Sequence, residues 1–496
     1  MEKVINNKNQ YEEIIDQMMI DEISALNGGG DEIREFIESG PTEDKRLSIL
    51  SILDKDQRIY KSIRPLMKDD SMTPSKHIST VVTMLREYVK VGLVEKKKFG
   101  EVMTPQELVI EMLEKLPKHV WLNPDLKWLD PCNGVGIFPA VVVSMLMKGL
   151  EQWEPDEELR YKHIVENMLY VGELQPKNMF LFLCAFDPKD KYELNVYTGS
   201  FLDEGFDEHM KSVWGVEGFD IIVGNPPYND GDKKGKNSSL WTKFVIKSGD
   251  LFLDNGFLSF VTPSSWLAPS DTQKVKLKQV FYGNDLQHLD LTCGKYFNSV
   301  GSTFTHYLIR KSNIYNGTIV NGVCVNLKYP FLPNVINCGL ISIMDKVFFN
   351  SGDKLKFSSS KRNDDINMDD NRLYGVWYGD KLKYSNTLGK NHNIKKVVVS
   401  KPGYLKAKYD DGVYNTSANN YWVEVNNETE GYNLISFFNS GFSMKLLNKL
   451  FKYSGFNSLG VLKSLPLTLI TKKWTDLELY ENFNLTQEEI NLIENL

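Results

Sequence analysis

The residues best equipped for chemistry are Asn225-Pro226-Pro227-Tyr228, set directly after the apolar run FDIIVG. An amine on an aromatic ring is a poor nucleophile because its lone pair is delocalised. Two acceptors aimed at its hydrogens draw the nitrogen toward tetrahedral geometry. The Asn225 side-chain oxygen can be one acceptor and the Pro226 carbonyl the other. Successive prolines fix the backbone, so the carbonyl is aimed before a substrate arrives. Tyr228 adds a flat face on which a base can stack. Alone, an Asn-Pro-Pro tripeptide is by default only a turn capping a strand. Its company in the chain decides.

That company begins upstream with Asp130-Pro131-Cys132-Asn133-Gly134-Val135-Gly136, again after an apolar run and before the helical pattern PAVVVSMLMKGL. Gly134 and Gly136 let the backbone approach a ligand, and the helix behind them offers free amides. The spacing is not that of a dinucleotide GxGxxG loop, and no Gly-Lys-Ser/Thr follows, which disfavours NAD and ATP. Glu173 ends the next run, YVGE. An acid there can accept from both hydroxyls of a ribose, although a strand-end Glu is usually just solvated. The seven histidines occur singly, and no metal constellation or Ser/His/Asp set is evident.

Positioning these groups falls to a repeating scaffold. The runs LKWLD (126–130), MLYVGE (168–173), FDIIVGN (219–225) and GFLSFVTP (256–263) are short and apolar, and each ends at Gly, Pro or an acidic or amide residue. Buried parallel strands alternating with helices have this texture. It predicts an α/β fold, a doubly wound Rossmann-like sheet with its ligand site at the carboxyl ends of the strands. Residues 1–95 have apolar spacing such as Ile14, Met18, Met19 and Ile23, which predicts an N-terminal helical region. A periodic segment from Ile78 to Val94 leads into the basic run Lys96-Lys97-Lys98. Beyond about residue 315 the alternation fades. The stretch Gly352 to Tyr421 reads as loops and short strands, and Thr486 with Glu489 forms a helix-start signal.

Taken together, these segments resemble the N6-adenine DNA methyltransferases of the gamma arrangement, in which cofactor motifs precede the NPPY motif and a target-recognition domain follows. The resemblance covers Phe99 to about Lys311. It implies S-adenosylmethionine as cofactor, a methyltransferase catalytic domain over 96–315 and an α+β target-recognition and C-terminal domain over 316–496. Phe99, Thr104 and Pro105 are similar to the motif that wraps the methionine part of the cofactor. Asp130, Pro131, Cys132, Gly134 and Gly136 match the glycine-rich cofactor loop, and Glu173 the ribose-binding acid. Ser200 and Phe201 fall where the family contacts the cofactor's adenine. The family commonly has Asp where this chain has Ser200, which accepts a hydrogen bond without charge.

Phe297, in Tyr296-Phe297-Asn298-Ser299, matches an aromatic that stacks on the flipped adenine opposite the tyrosine, so Tyr228 and Phe297 are expected to form two sides of a slot. A duplex base must leave the stack to be reached, and stacking in such a slot offsets the cost. Lys233, Lys234 and Lys236, in the loop after Tyr228, have the charge to close over a DNA backbone, as an ordinary solvated loop also would. A second basic and aromatic mixture, Lys395, Lys396, Lys401, Tyr404, Lys406, Lys408, Tyr409, Tyr414 and Tyr421, is the candidate for further DNA contacts.

Bulk properties set the limits. With 496 residues, 42% hydrophobic and 25% charged, the chain has the length of two or three domains and the composition of a folded protein. A net charge of −7 argues against coating nucleic acid by bulk electrostatics, so contacts with double-stranded DNA must be local. Five scattered cysteines suit reduced thiols. The opening MEKVINNKNQYEE does not read as a secretory signal, and no apolar run approaches a membrane span; a soluble protein of the bacterial cytoplasm, phage-encoded or not, is expected. Rival readings are RNA adenine methylation, methylation of a protein glutamine, and the modification part of a restriction system with a separate nuclease or specificity subunit. The long region after Lys311 favours DNA over glutamine. The recognition sequence and oligomeric state are not encoded legibly.

Overall fold

The structure is a computed structural model, and it describes residues 14, 58–69, 71–89, 104–228, 239–268, 275–297, 303–320, 322–327, 329–360, 373–453 and 456–496. Phe99, Lys96 to Lys98, Lys233, Lys234 and Lys236 lie outside the described residues, as does most of the N-terminal region. What is described of that region includes helices over Arg58–Lys68 and Pro74–Val89. The second carries the periodicity seen from Ile78, and Ile78, Val81 and Leu85 are buried.

A nine-stranded sheet organises the middle of the chain. Its strands are β1 (Trp128–Asp130), β2 (Leu169–Glu173), β3 (Asn195–Thr198), β4 (Phe219–Gly224), β5 (Phe252–Pro263), β6 (Asp285–Asp290), β7 (Phe304–Arg310), β8 (Thr318–Val320) and β9 (Val323–Val325). All four runs read as strands from sequence are strands. They are buried along almost their whole length because the sheet is covered, which removes the polar alternation of a half-exposed strand. The order is β3-β2-β1-β4-β5-β7-β6-β8-β9. The first five strands pair in parallel, and β7 inserts antiparallel between β5 and β6.

The chain builds outward from β1 through β2 to β3, then crosses back to lay β4 on the other side of β1. The connections leaving β1 and β4 therefore diverge at their carboxyl ends and leave a crevice between them, the topological switch point where open α/β sheets bind ligands. The glycine-rich turn follows β1 and the Asn-Pro-Pro-Tyr segment follows β4, so both motifs are delivered to that crevice.

The sheet continues through β8 and β9, beyond residue 315. After it come helix Cys338–Phe348, a four-stranded antiparallel sheet and a three-stranded sheet. The four-stranded sheet is built from β10 (Ser358–Ser359), β13 (Lys395–Ser400), β14 (Ala407–Asp411) and β16 (Asn420–Glu424); β11 (Tyr374–Tyr378), β12 (Lys381–Ser385) and β15 (Asn415–Thr416) make the other. Helices then close the chain. The last, Gln487–Glu494, starts at Thr486 with the reciprocal capping contacts to Glu489 that the sequence signals. No helix among the described residues is long and apolar enough to cross a membrane.

Candidate active site

At the crevice lies a cavity of about 180 Å³. Thr104, Pro131, Cys132, Gly134, Glu173, Ser200, Phe201 and all four residues of Asn225 to Tyr228 line it, bringing together positions more than 120 residues apart.

Asn225 is held by a specific contact. Its Nδ2 donates to Thr104 Oγ1 over 2.9 Å, and Thr104 is itself buried. With its N–H side turned to that hydroxyl, Asn225 has the acceptor Oδ1 to offer a ligand. Pro105 does not line the cavity. Its carbonyl accepts from the amides of Leu108 and Val109 and so begins helix Gln106–Leu113, which fixes the position of Thr104.

The glycine turn divides its labour. Gly134 lines the cavity with φ +57°, and its amide donates to Glu173 Oε2 over 2.7 Å. Gly136 stands behind the cavity. Its φ is +98°, and a Cβ there would lie 2.7 Å from Phe182 Cδ2 and 3.0 Å from Phe186 Cε2, so this glycine lets the turn pass close to those two rings. Asp130 is also beneath the surface, 1% exposed. Its Oδ1 accepts from the Cys132 amide over 3.1 Å, while Oδ2 is buried without a hydrogen-bond partner. Asn133 Oδ1 is in the same condition.

Glu173 accepts from Gly134 at Oε2 and from the Gln175 amide at Oε1. It therefore buckles the glycine turn to the end of β2. Burial raises its pKa against those hydrogen bonds. Burial and the neighbouring Glu173 charge push the Asp130 carboxyl up to about 8. Two acids that resist ionisation together, beside acceptors without donors, make a site suited to a cationic ligand rich in N–H and O–H groups. Burial also drives the Cys132 thiol far above its ordinary value, so it is no nucleophile.

Ser200 lines the cavity, and its Oγ accepts from the Leu202 amide over 3.2 Å. Phe201 lines it too but is only 2% exposed, wedged 4.9 Å from Phe206 and 5.2 Å from Phe244. Tyr228 and Phe297, expected to flank a flipped base, are joined here through Phe304. Phe297 is 4% exposed and does not line the cavity; its ring meets Phe304 at 4.6 Å, and Phe304 in turn meets Tyr228 at 5.0 Å. Phe304, the first residue of β7, lies between the two rings and, like Phe297, does not line the cavity. Tyr228 is 6% exposed in this arrangement.

Asn133, Asn178, Phe244 and Phe304 were not singled out from sequence. Asn178 lines the cavity and lowers the Glu173 pKa by a side-chain hydrogen bond. It sits in the first turn of helix Pro176–Phe186, PKNMFLFLCAF, as a buried polar residue before an apolar run, which is the signal that could have marked it. Glu111, Asp290 and His306 were missed as well. Their ligand atoms all lie within 4.8 Å of one another, although the sequence reading found no metal constellation.

In the C-terminal region the basic and aromatic mixture splits. Lys396 is fully buried against Asp410 at 3.2 Å, and Tyr421 is 6% exposed with its hydroxyl on the Asn457 carbonyl. Neither is available to a partner. Tyr404 is 63% exposed, and Lys408 lies 4.5 Å over the Trp377 ring. Lys406 pairs with Asp380 and Lys395 with Asp411.

Comparison with known proteins is consistent with this geometry. Residues 158–289 match the family model of the Eco57I restriction-modification methylase. A protein of Mycoplasma pneumoniae (strain ATCC 29342 / M129 / Subtype 1), described as an uncharacterized adenine-specific methylase, is 25% identical over a match taking in 40% of this chain and 63% of that protein. The match thus spans less than two thirds of that relative's length. Among solved structures, the DrdV–DNA complex covers 83% of this chain and 62% of its own at 12% identity and TM-score 0.46. The Type IIL restriction-modification enzyme MmeI in complex with DNA covers 81% and 71% at 10% identity and TM-score 0.42.

Proposed function

We propose that the chain is an S-adenosylmethionine-dependent, site-specific DNA methyltransferase that acts on the N6 amino group of an adenine flipped out of double-stranded DNA. One observation carries the reading: the Asn225 to Tyr228 segment and the glycine turn with Glu173 line one cavity, with Asn225 oriented by Thr104.

The residues fit the cofactor. Glu173 would hold the ribose end, Asn133 supplies a buried acceptor for an ammonium group, and Ser200 and Phe201 border the adenine. When bound, S-adenosylmethionine supplies an electrophilic methyl group on a sulfonium. The protein does the rest by position. Asn225 Oδ1 and the Pro226 carbonyl accept from the two hydrogens of the adenine amine and hold it in line with the methyl group. Tyr228 stacks on the base.

DNA as substrate is supported by the family match and by the exposed cation and aromatic pairs after β9. The division into a helical region (1–95), a catalytic domain (96–315) and a target-recognition and C-terminal domain (316–496) belongs to this proposal, with β8 and β9 extending the catalytic sheet. So do a cytoplasmic location and, beside DNA, a separate nuclease or specificity subunit as partner.

The test is incubation of the purified chain with unmethylated genomic DNA and labelled cofactor, read by modification-sensitive sequencing. N6-methyladenine recurring in one sequence context is expected. Cofactor binding without any DNA methylation, or methyl transfer to RNA or protein instead, overturns the assignment. Asn225→Ala should abolish transfer and leave cofactor binding within about threefold of wild type, since the side chain acts on the target amine.

A further inference from the structure

Helix Gln106–Leu113, β6 and β7 meet at one point beside the catalytic crevice. Glu111 comes from the helix, Asp290 ends β6, and His306 lies opposite Asp290 in the β6/β7 register. The His306 side chain is 2% exposed, and its Nε2 has no hydrogen-bond partner. That nitrogen faces Glu111 Oε1 at 3.5 Å and Asp290 Oδ2 at 4.0 Å. A buried imidazole nitrogen without a partner, aimed between two carboxylates, calls for an ion or a proton between them.

We propose that Glu111, Asp290 and His306 form a binding site for a divalent transition-metal ion of the zinc class. Around such an ion, bonds of about 2.0–2.2 Å place tetrahedral ligand atoms about 3.3–3.6 Å apart. The separations of 3.5 Å and 4.0 Å therefore close by small side-chain movements. Each carboxylate is already held from behind. Asp290 Oδ1 accepts from the Thr292 and Cys293 amides at 2.7 and 2.8 Å. Glu111 Oε2 accepts from the Tyr296 hydroxyl at 3.1 Å and has Lys295 Nζ at 3.9 Å. The Thr292 hydroxyl also donates to Asp290 Oδ2 at 3.1 Å, and Glu111 Oε1 and Asp290 Oδ2 are the oxygens nearest His306, oriented as outer partners orient metal ligands.

The Glu111 and Asp290 side chains are 28% and 18% exposed, so the site opens to solvent on the carboxylate side and water can complete the coordination. One imidazole and two carboxylates balance a doubly charged ion, and the mixed nitrogen and oxygen set suits zinc or cobalt above magnesium or calcium. The ion would stand outside methyl transfer. Its role is positional: it ties the helix that begins beside Thr104 to the strand carrying Phe304, two residues before His306, whose ring packs on Tyr228, and so braces the crevice from behind.

The experiment uses the full chain, stripped with chelator and titrated by equilibrium dialysis with zinc chloride, and with cobalt chloride followed by its visible absorption. Wild type should take up one ion per chain, and its melting temperature should rise with zinc. Glu111→Gln, at a partly exposed position that leaves the fold intact by circular dichroism, and Asp290→Asn should each weaken uptake by about tenfold or more. His306→Gln should abolish the cobalt spectrum. Lys449→Ala, an exposed lysine outside the cluster, should bind as wild type does. Uptake that is absent in wild type, or unchanged in all three ligand variants, overturns the site. So does stabilisation that follows acidification alone with no response to metal, which would make the cluster a protonated ion pair.

Discussion

Asn225 and Thr104 stand 121 residues apart in sequence and share a hydrogen bond of 2.9 Å, which orients the amide of the catalytic tetrapeptide from outside its own strand. The hydroxyl of Thr104 is the acceptor, and the backbone that carries it is fixed by the helix start at Pro105.

Thr104→Val keeps the shape and removes that acceptor. The Asn225 amide can then rotate, so turnover should fall about tenfold, the size of one buried hydrogen bond worth ~1.4 kcal/mol in the transition state. Thr104→Ser should restore most of it. Single-turnover methylation rates check the effect, and cofactor affinity within twofold of wild type separates orientation of Asn225 from damage to the cofactor cavity. An unchanged rate in Thr104→Val would deny Thr104 this role.

Gly136→Ala should destabilise the protein by about 2 kcal/mol, combining a left-handed backbone with overpacking. The clash is with Phe182 at 2.7 Å, and φ is +98°. Adding Phe182→Leu relieves the clash but not the backbone cost. The double variant should thus recover part of the loss in urea unfolding, and full recovery would mean that the backbone conformation costs nothing.

Asp130 predicts a pH dependence. Its folded pKa is raised to about 8, from an ordinary value near 3.8, by burial and by Glu173. Between those values the folded state holds a proton that the unfolded chain releases. Stability from this group is therefore fully present below pH 3.8 and lost as pH rises through about 8. The slope for one group is at most about 1.4 kcal/mol per pH unit. Asp130→Asn, which cannot release a proton, should flatten the fall of melting temperature between about pH 4 and 8 in the ligand-free protein. A slope identical to wild type would place the titration elsewhere.

Much of this site was legible in the sequence because it rests on local signals. A buried parallel strand followed by a turn is written contiguously, so Asp130 to Gly136 and Asn225 to Tyr228 could be placed at strand ends before their distance was known. The same logic found the helix start at Thr486, where both capping partners lie within one turn. What failed was pairing across the fold. Phe297 and Phe304 are both aromatic and close in sequence, and only the β5/β7 register puts Phe304 against Tyr228. His306 looked solitary because Glu111 reaches it from a helix and Asp290 from a neighbouring strand. A lysine in a basic run looks like its neighbours until a strand pairing buries one of them.

Lys396 and Lys408 turn that last point into a test. Both belong to one basic and aromatic stretch, yet Lys396 is fully buried on Asp410 while Lys408 is exposed over Trp377. The Lys396 ammonium also donates to the Asn391 and Ile394 carbonyls, at 2.9 and 3.0 Å. Lys396→Ala strands the Asp410 carboxylate in the interior and should cost about 3–5 kcal/mol. Any DNA affinity that survives in its folded fraction should retain the wild-type salt dependence. Lys408→Ala should leave stability within about 0.5 kcal/mol of wild type and, if this face meets DNA, lower the slope of log affinity against log salt by about one. Urea unfolding and fluorescence anisotropy at several salt concentrations read the two effects separately. A Lys408 variant with an unchanged salt slope would move the DNA contact away from β14, and a Lys396 variant of normal stability would contradict its burial.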